Sequence, residues 1–139
     1  MEKSSRLDYA FWALKLGLGA STFLAGADKF TDILADWEDY LSPEAEDRLP
    51  VSGKTFMRAV GVIEMAVGAG ILSNKTRLSS YAAAGWLLAI AGNLVMNRDY
   101  DVAVRDVNMA IGALVLAQLA AAREEYRIEE RLVDERLAA

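Results

Sequence analysis

The residues that could do chemistry in this chain are ionisable side chains placed within long apolar stretches. Lys29 ends the first stretch, and Glu64 lies within the second. Arg105 and Asp106 open the fourth. A charge at mid-membrane costs about 2.5 to 3.5 kcal/mol on insertion scales, so such a residue usually faces a partner or a cavity. Because three stretches bring opposite charges to similar depth, these residues predict either a polar site or a structural lock between the helices. In a site, Lys29 or Arg105 could donate hydrogen bonds while Glu64 or Asp106 relays protons.

The sequence allows two arrangements for the charged partner of Glu64. If both helices are centred in a bilayer, Lys15 and Glu64 differ in depth by about four residues, roughly 6 Å, which a lysine side chain can span. A buried Lys15–Glu64 pair is one arrangement. In the other, Lys15 extends to the inner interface, and Glu64 faces Arg58, Lys29 and Arg105.

The charge-free run LSSYAAAGWLLAIAGNLVMN, at residues 78–97, indicates that the ionisable residues belong to helices that cross a membrane. As a helix it would be about 30 Å long, the thickness of a bilayer's hydrocarbon core. A soluble four-helix bundle needs a polar residue facing water on nearly every turn, and this run has no such face. Three similar stretches give predicted spans at residues 9–29, 55–73, 79–97 and 104–122.

These spans predict an all-α integral membrane protein, a four-helix bundle of antiparallel, up-down order in a lipid bilayer. Residues 1–139 would form a single membrane domain, with a charged helical tail at residues 123–139. No proline interrupts a span, which favours four unbroken helices. The alternative is an alanine-rich soluble helical protein or a solubilised redesign.

The connection between the first and second spans predicts a short amphipathic helix lying on the membrane surface. Its apolar residues recur at helical spacing, whereas its aspartates point the other way. The apolar residues are Phe30, Ile33, Leu34, Trp37 and Leu41. Such a helix could be a lid over a site between the spans or a plain interfacial connector, and we favour the connector.

Composition excludes several kinds of site. The chain has no Cys and no His, and its net charge is −5. Dithiol exchange, an iron–sulfur cluster, haem ligation and a zinc or iron site would all lack their usual ligands, so we expect none of these cofactors and no metal. The acidic balance argues against nucleic acid as a partner.

Basic residues predict the orientation of the spans. The short link between the second and third spans carries Lys75 and Arg77, and the N-terminus adds Lys3 and Arg6. Placing these residues inside also places the C-terminal tail inside and the acidic connection at residues 30–54 outside. We therefore expect both termini in the cytoplasm and the polar site near the outer face.

Three short motifs resemble those of a known family. The first span ends in FLAGADKF at residues 23–30, the second carries GVIE at residues 61–64, and the fourth opens with RD at residues 105–106. In this order they resemble the DoxX family of small four-helix membrane proteins, over about residues 9–122. The family's polar residues, carried over here, are Gly26, Lys29, Glu64, Arg105 and Asp106.

The resemblance implies a protein of a prokaryotic cytoplasmic membrane. Some members are subunits of quinone-linked oxidoreductases, so it implies a quinone at the polar site and electrons supplied by other protein subunits. The alternative is a structural anchor or assembly subunit without chemistry, associated with other subunits or with further copies of itself. A small-solute transporter is a third hypothesis, which four unbroken spans disfavour.

Overall fold

The structure, a computed structural model, describes the backbone of residues 2–138 and the side chains of residues 6–138. This part of the chain is all-helical and has no strand. Its elements in order are α1 (Glu2–Asp28), a 3-10 helix (Trp37–Tyr40), α2 (Pro43–Glu46), α3 (Gly53–Leu72), α4 (Thr76–Met96) and α5 (Tyr100–Ala138). Each predicted span falls on one of the four long helices. The first three end one residue beyond the ends of α1, α3 and α4, whereas α5 continues past the predicted end at residue 122 to Ala138.

The four long helices are long and apolar enough to cross a membrane. Within the most apolar part of each, between 22% and 33% of the residues are buried in the protein. Large apolar side chains such as Leu16, Leu88 and Ile111 are at least half exposed. Such an extensive apolar surface must be shielded from water, and the length of the helices matches the thickness of a bilayer. Both observations indicate a lipid environment.

The long helices pack mainly as two pairs, α1 against α3 and α4 against α5, with further contacts between α3 and α4 and between α1 and α5. Glycines bring α1 and α3 into backbone contact. A Cβ on Gly26 would lie 2.6 Å from the carbonyl oxygen of Gly61, and one on Gly68 would lie 2.6 Å from the amide nitrogen of Phe23. Glycine is therefore required at these crossings.

Alanine plays the corresponding role between the other helices. The core cluster contains Ala83 and Ala84 of α4 and Ala113 of α5, packed with Ile71 and Leu116. Small side chains let neighbouring backbones approach, which is how membrane helices gain contact when hydrophobic burial no longer drives their association.

The predicted surface helix over residues 30–41 is not confirmed, because most of the segment winds around one carboxylate instead. Asp28 Oδ1 accepts hydrogen bonds from the Thr31 hydroxyl at 2.9 Å and the Ile33 amide at 3.0 Å. Asp28 Oδ2 accepts from the Leu34 amide and the Trp37 indole, both at 2.9 Å. Side-chain acceptors compete with helical hydrogen bonds for the same N–H groups, so only the 3-10 helix forms before residue 43.

The last helix continues well beyond the packed region. Arg123 pairs with Asp8 of α1, and Arg77 of α4 pairs with Glu124 at 3.4 Å. From residue 124 to residue 138 every described residue is exposed, although the chain stays helical. The charged tail is thus a helical extension of α5.

Candidate functional site

A cavity of about 330 Å³ lies among the four long helices and the connection between α1 and α3. Most of its wall is apolar, formed by side chains such as Met57, Val60 and Leu87. A smaller set of polar and ionisable side chains also lines it. These are Ser21, Thr22, Lys29, Asn93, Glu64, Arg105 and Asp106. An apolar pocket with a few convergent polar groups is the usual form of a small-molecule site.

A buried ion pair is the main polar feature of the cavity. Lys29 Nζ lies 2.6 Å from Glu64 Oε2, and the two side chains are 4% and 8% exposed. Lys29 directly follows α1, and Glu64 lies in the middle of α3. The indole of Trp37 stacks on the ammonium group, whose nitrogen is 3.7 Å from the ring centre. The Lys29 ammonium group thus has two partners, the Glu64 carboxylate and the face of the Trp37 ring.

Lys15 takes no part in this site. Its ammonium group donates to the carbonyl oxygen of Ser73, at the C-terminus of α3, over 2.7 Å. It also lies 5.0 Å from the ring centre of Trp12. Of the two arrangements open in the sequence, the structure has the one in which Lys15 reaches a helix end and Glu64 pairs elsewhere.

Arg105 and Asp106 form a second pair at the cavity wall. Nε and Nη2 of Arg105 donate to Asp106 Oδ1 at 3.0 and 2.9 Å. The Asp106 side chain is 5% exposed, whereas that of Arg105 is 60% exposed. Asp106 faces inward with Ala103 and Ala110, one helical turn away on either side, so the carboxylate is held inside while the guanidinium group reaches the surface.

Two tryptophans that the sequence analysis did not assign to the site belong to it. Trp37 was predicted as an apolar residue of the surface helix, and in the structure its ring covers Lys29. Trp86 of α4 lies beside the Glu64 carboxylate. Its buried Nε1 has no hydrogen-bond partner of normal geometry among the described residues. A tryptophan in the middle of a span, away from either interface, was the signal available for Trp86.

Asn93 of α4 and Asn97, which directly follows α4, hold the connection across the end of the cavity. Asn93 donates from Nδ2 to the Tyr40 carbonyl at 2.6 Å and accepts from the Ser42 amide at 3.1 Å. Asn97 donates to the Asp39 carbonyl at 2.9 Å. Because Trp37, Tyr40 and Leu41 line the cavity, this placement favours the lid interpretation over the plain connector.

The structure brings four of the five predicted site residues together. Lys29, Glu64, Arg105 and Asp106 all line the cavity. Gly26 lies instead at the contact between α1 and α3, where its missing side chain lets the two helices approach beside the Lys29–Glu64 pair. Within the described residues, no group of three or more Asp, Glu, His or Cys side chains could hold a metal ion.

No family model matches the chain, and neither a curated protein nor a solved structure matches it. The resemblance to the DoxX family therefore stays a prediction based on the three short motifs. The functional argument depends on the geometry and the charges of the cavity.

Proposed function

We propose that this chain is a DoxX-like, antiparallel four-helix bundle of a prokaryotic cytoplasmic membrane that contributes a quinone site to a larger redox complex. The observation that carries the proposal is the apolar cavity with the Lys29–Glu64 pair and Asp106 in its wall. The site would lie near the outer face, beneath the connection, with both termini in the cytoplasm.

The charge balance of the cavity favours an uncharged ligand. Lys29 is matched by Glu64, and Arg105 is matched by Asp106. A ligand with a net charge would enter a largely apolar space without a free counter-charge, which is costly. A quinone headgroup carries no charge and is planar, and its carbonyl groups accept hydrogen bonds.

The side chains around the cavity match the needs of such a headgroup. The Lys29 ammonium group and the Trp86 indole N–H are hydrogen-bond donors, and the Trp37 and Trp86 rings offer flat apolar faces. The carboxyl groups of Glu64 and Asp106 can hold and pass protons at the cavity wall.

A bound quinone would supply the redox chemistry, and the chain's own residues would bind it and move protons. Reduction to the quinol takes up two electrons and two protons. The chain has no His or Cys to ligate a redox metal centre, so the electrons would come from a partner subunit. The proposed partners are therefore other protein subunits together with the surrounding lipid.

Tryptophan fluorescence tests the headgroup site. Trp37 and Trp86 line the cavity, whereas Trp12 lies beside Lys15, whose ammonium group bonds the far end of α3. Titrating the purified protein with 2,3-dimethoxy-5-methyl-1,4-benzoquinone, which quenches indoles on contact, should give saturable quenching. The Trp37→Phe, Trp86→Phe double variant should lose this saturable component, and the matched control Trp12→Phe should keep it. Quenching that is linear and equal in all three proteins would reject the site.

The exposed tail favours a second function, that of an anchor or assembly subunit. After Arg123, α5 continues in helical form and exposes Tyr126, Val133 and Leu137. A helix whose apolar residues are left uncovered outside a span is suited to docking. Removal of residues 124–139 discriminates between the functions: an anchor loses its co-purifying subunit, whereas a quinone site keeps its saturable quenching.

A further inference from the structure

We propose that the ligand of this cavity has an apolar tail, and that the tail leaves through the seam between α1 and α5, so that the ligand enters from the bilayer. This inference rests on the proposed headgroup site. It adds the class of ligand, a lipid-soluble molecule, and the side of the protein on which it is exchanged.

One half of the α1–α5 seam is closed. A Cβ on Gly112 of α5 would lie 3.9 Å from Leu14 and 3.8 Å from Leu18 of α1, which is ordinary van der Waals contact. Further along, the Arg123 guanidinium group lies 4.4 Å from the ring centre of Phe11 and also pairs with Asp8. The two helices are thus in contact from Phe11 and Arg123 up to Leu18 and Gly112.

The other half of the same seam belongs to the cavity. The cavity-lining residues of α1 follow Leu18 with small side chains, and those of α5 face them. They are Ser21, Thr22 and Ala25 on α1, and Val102, Arg105 and Met109 on α5. Ser21 and Arg105 are exposed, and the other four are half-buried. The cavity therefore reaches the outer surface of the helices between these two rows.

The opposite seam, between α3 and α4, is lined differently. Its cavity-lining side chains include the bulky Phe56, Trp86 and Ile90, with Ala89 exposed beside them. The hydrogen bonds of Asn93 also hold the connection at this side. A flexible chain passes more easily along the small side chains of α1 than between these bulky side chains.

The end of the cavity is covered as well. Trp37, Tyr40 and Leu41 of the connection line it there. A water-soluble ligand would need an opening at this helix end, whereas a lipid-soluble ligand needs one among the lipid-facing side chains. The position of the opening thus matches a lipid-soluble ligand whose uncharged headgroup lies at the Lys29–Glu64 pair.

Photolabelling in proteoliposomes tests the path of the tail. The probe is a 1,4-benzoquinone with an alkyl tail that carries a diazirine, and the labelled peptides are mapped by mass spectrometry. We expect competable labels at residues 21–25 and 102–109. Labels confined to the α3–α4 seam around Ala89 would overturn the inference.

A matched pair of alanine substitutions provides the second test. Ala25 and Ala89 both line the cavity, one at each seam. Ala25→Phe should weaken the binding of a long-tailed quinone about tenfold, as expected when roughly two methylene groups lose their cover. It should weaken the binding of the tail-less quinone much less, and Ala89→Phe, which also fills part of the cavity, should weaken the binding of both quinones by the same factor. Ser21→Trp, at an exposed position of the α1–α5 seam, is the second variant should Ala25→Phe fail to fold.

The results separate this inference from the proposed function. If the tail-less quinone does not bind the wild-type protein, the headgroup site is rejected and the inference fails with it. If the tail-less quinone binds and neither Ala25→Phe nor Ser21→Trp lowers the affinity for the long-tailed quinone more than that for the tail-less one, only the path through the α1–α5 seam is overturned.

Discussion

The Lys29–Glu64 pair joins two helices at the point where the polar site lies. Its members are separated by 35 residues in the chain and by 2.6 Å in space. Removing one partner of a buried pair leaves an uncompensated charge or an unpaired polar group, whereas replacing both with apolar groups of similar volume is often tolerated. The pair can therefore be tested for its structural contribution separately from any role in binding.

We expect Glu64→Gln to lower the free energy of unfolding by about 3 kcal/mol, because Lys29 would keep its charge without a counter-charge. The Lys29→Met, Glu64→Leu double variant should recover most of this loss. Glu124→Gln is the matched control, since Glu124 pairs with Arg77 at 3.4 Å and is 54% exposed. That pair should contribute less than about 1 kcal/mol. Denaturation followed in detergent would measure all three, and equal losses for Glu64→Gln and Glu124→Gln would contradict a structural role for the buried pair.

At the scale of the elements, the close crossing of α1 and α3 places the site. Gly26 and Gly61 bring the two backbones together beside Lys29 and Glu64. The motifs that contain these glycines also contain the two charged residues, three positions later in each motif. Close packing at the glycines therefore brings the two charges together. The connection then winds around Asp28 and brings Trp37 over Lys29.

Gly26→Ala should destabilise the protein, because the new Cβ would lie 2.6 Å from the backbone oxygen of Gly61 and the helices would have to separate. Overpacking of this kind costs about 1 to 3 kcal/mol. Gly85→Ala is the control, since a Cβ there meets no described atom within 4 Å. It should be neutral, or stabilise by up to about 1 kcal/mol through helix propensity. Thermal unfolding would compare the two variants, and equal midpoints would show that the α1–α3 crossing tolerates a side chain.

At the scale of the whole molecule, the exposed apolar surface and the direction of the helices determine how the chain lies in a membrane. Short basic segments usually remain in the cytoplasm. The turn between α3 and α4 contains Lys75, and the connection between α1 and α3 is rich in acids. These two segments should lie on opposite sides of the bilayer.

Cysteine labelling tests this orientation without background, because the chain has no cysteine of its own. In intact cells a membrane-impermeant maleimide should modify Asp36→Cys in the exposed connection. It should modify Lys75→Cys, also at an exposed position, only after the membrane is opened. The reverse pattern would place both termini outside, and labelling of both residues in intact cells would reject a membrane-spanning arrangement.

The four long helices were predictable from the sequence because apolar length is a local property. Each span appears as a long run of apolar residues with few charges, and glycine-rich motifs indicate where backbones can approach. The charged site residues could also be found, since an ionisable group in an apolar run is visible without any knowledge of packing. The predicted surface helix is not confirmed, because the competing acceptor, Asp28, lies just before the periodic pattern and takes the backbone N–H groups of Ile33 and Leu34.

What the sequence by itself determined is the set of apolar helices and the charged residues they carry. Only the tertiary structure decided which of those residues meet. Depth estimated from the centres of the spans left both Lys15 and Lys29 within reach of Glu64. Both side chains bond to α3 in the structure, and the position of α1 along the axis of α3 places Lys29 beside Glu64 and Lys15 beside Ser73 at the end of α3. Trp86 and Asn93 belong to the site through contacts with residues more than 20 positions away in the chain. Such contacts depend on how the helices align, rotate and cross, which no local sequence pattern encodes.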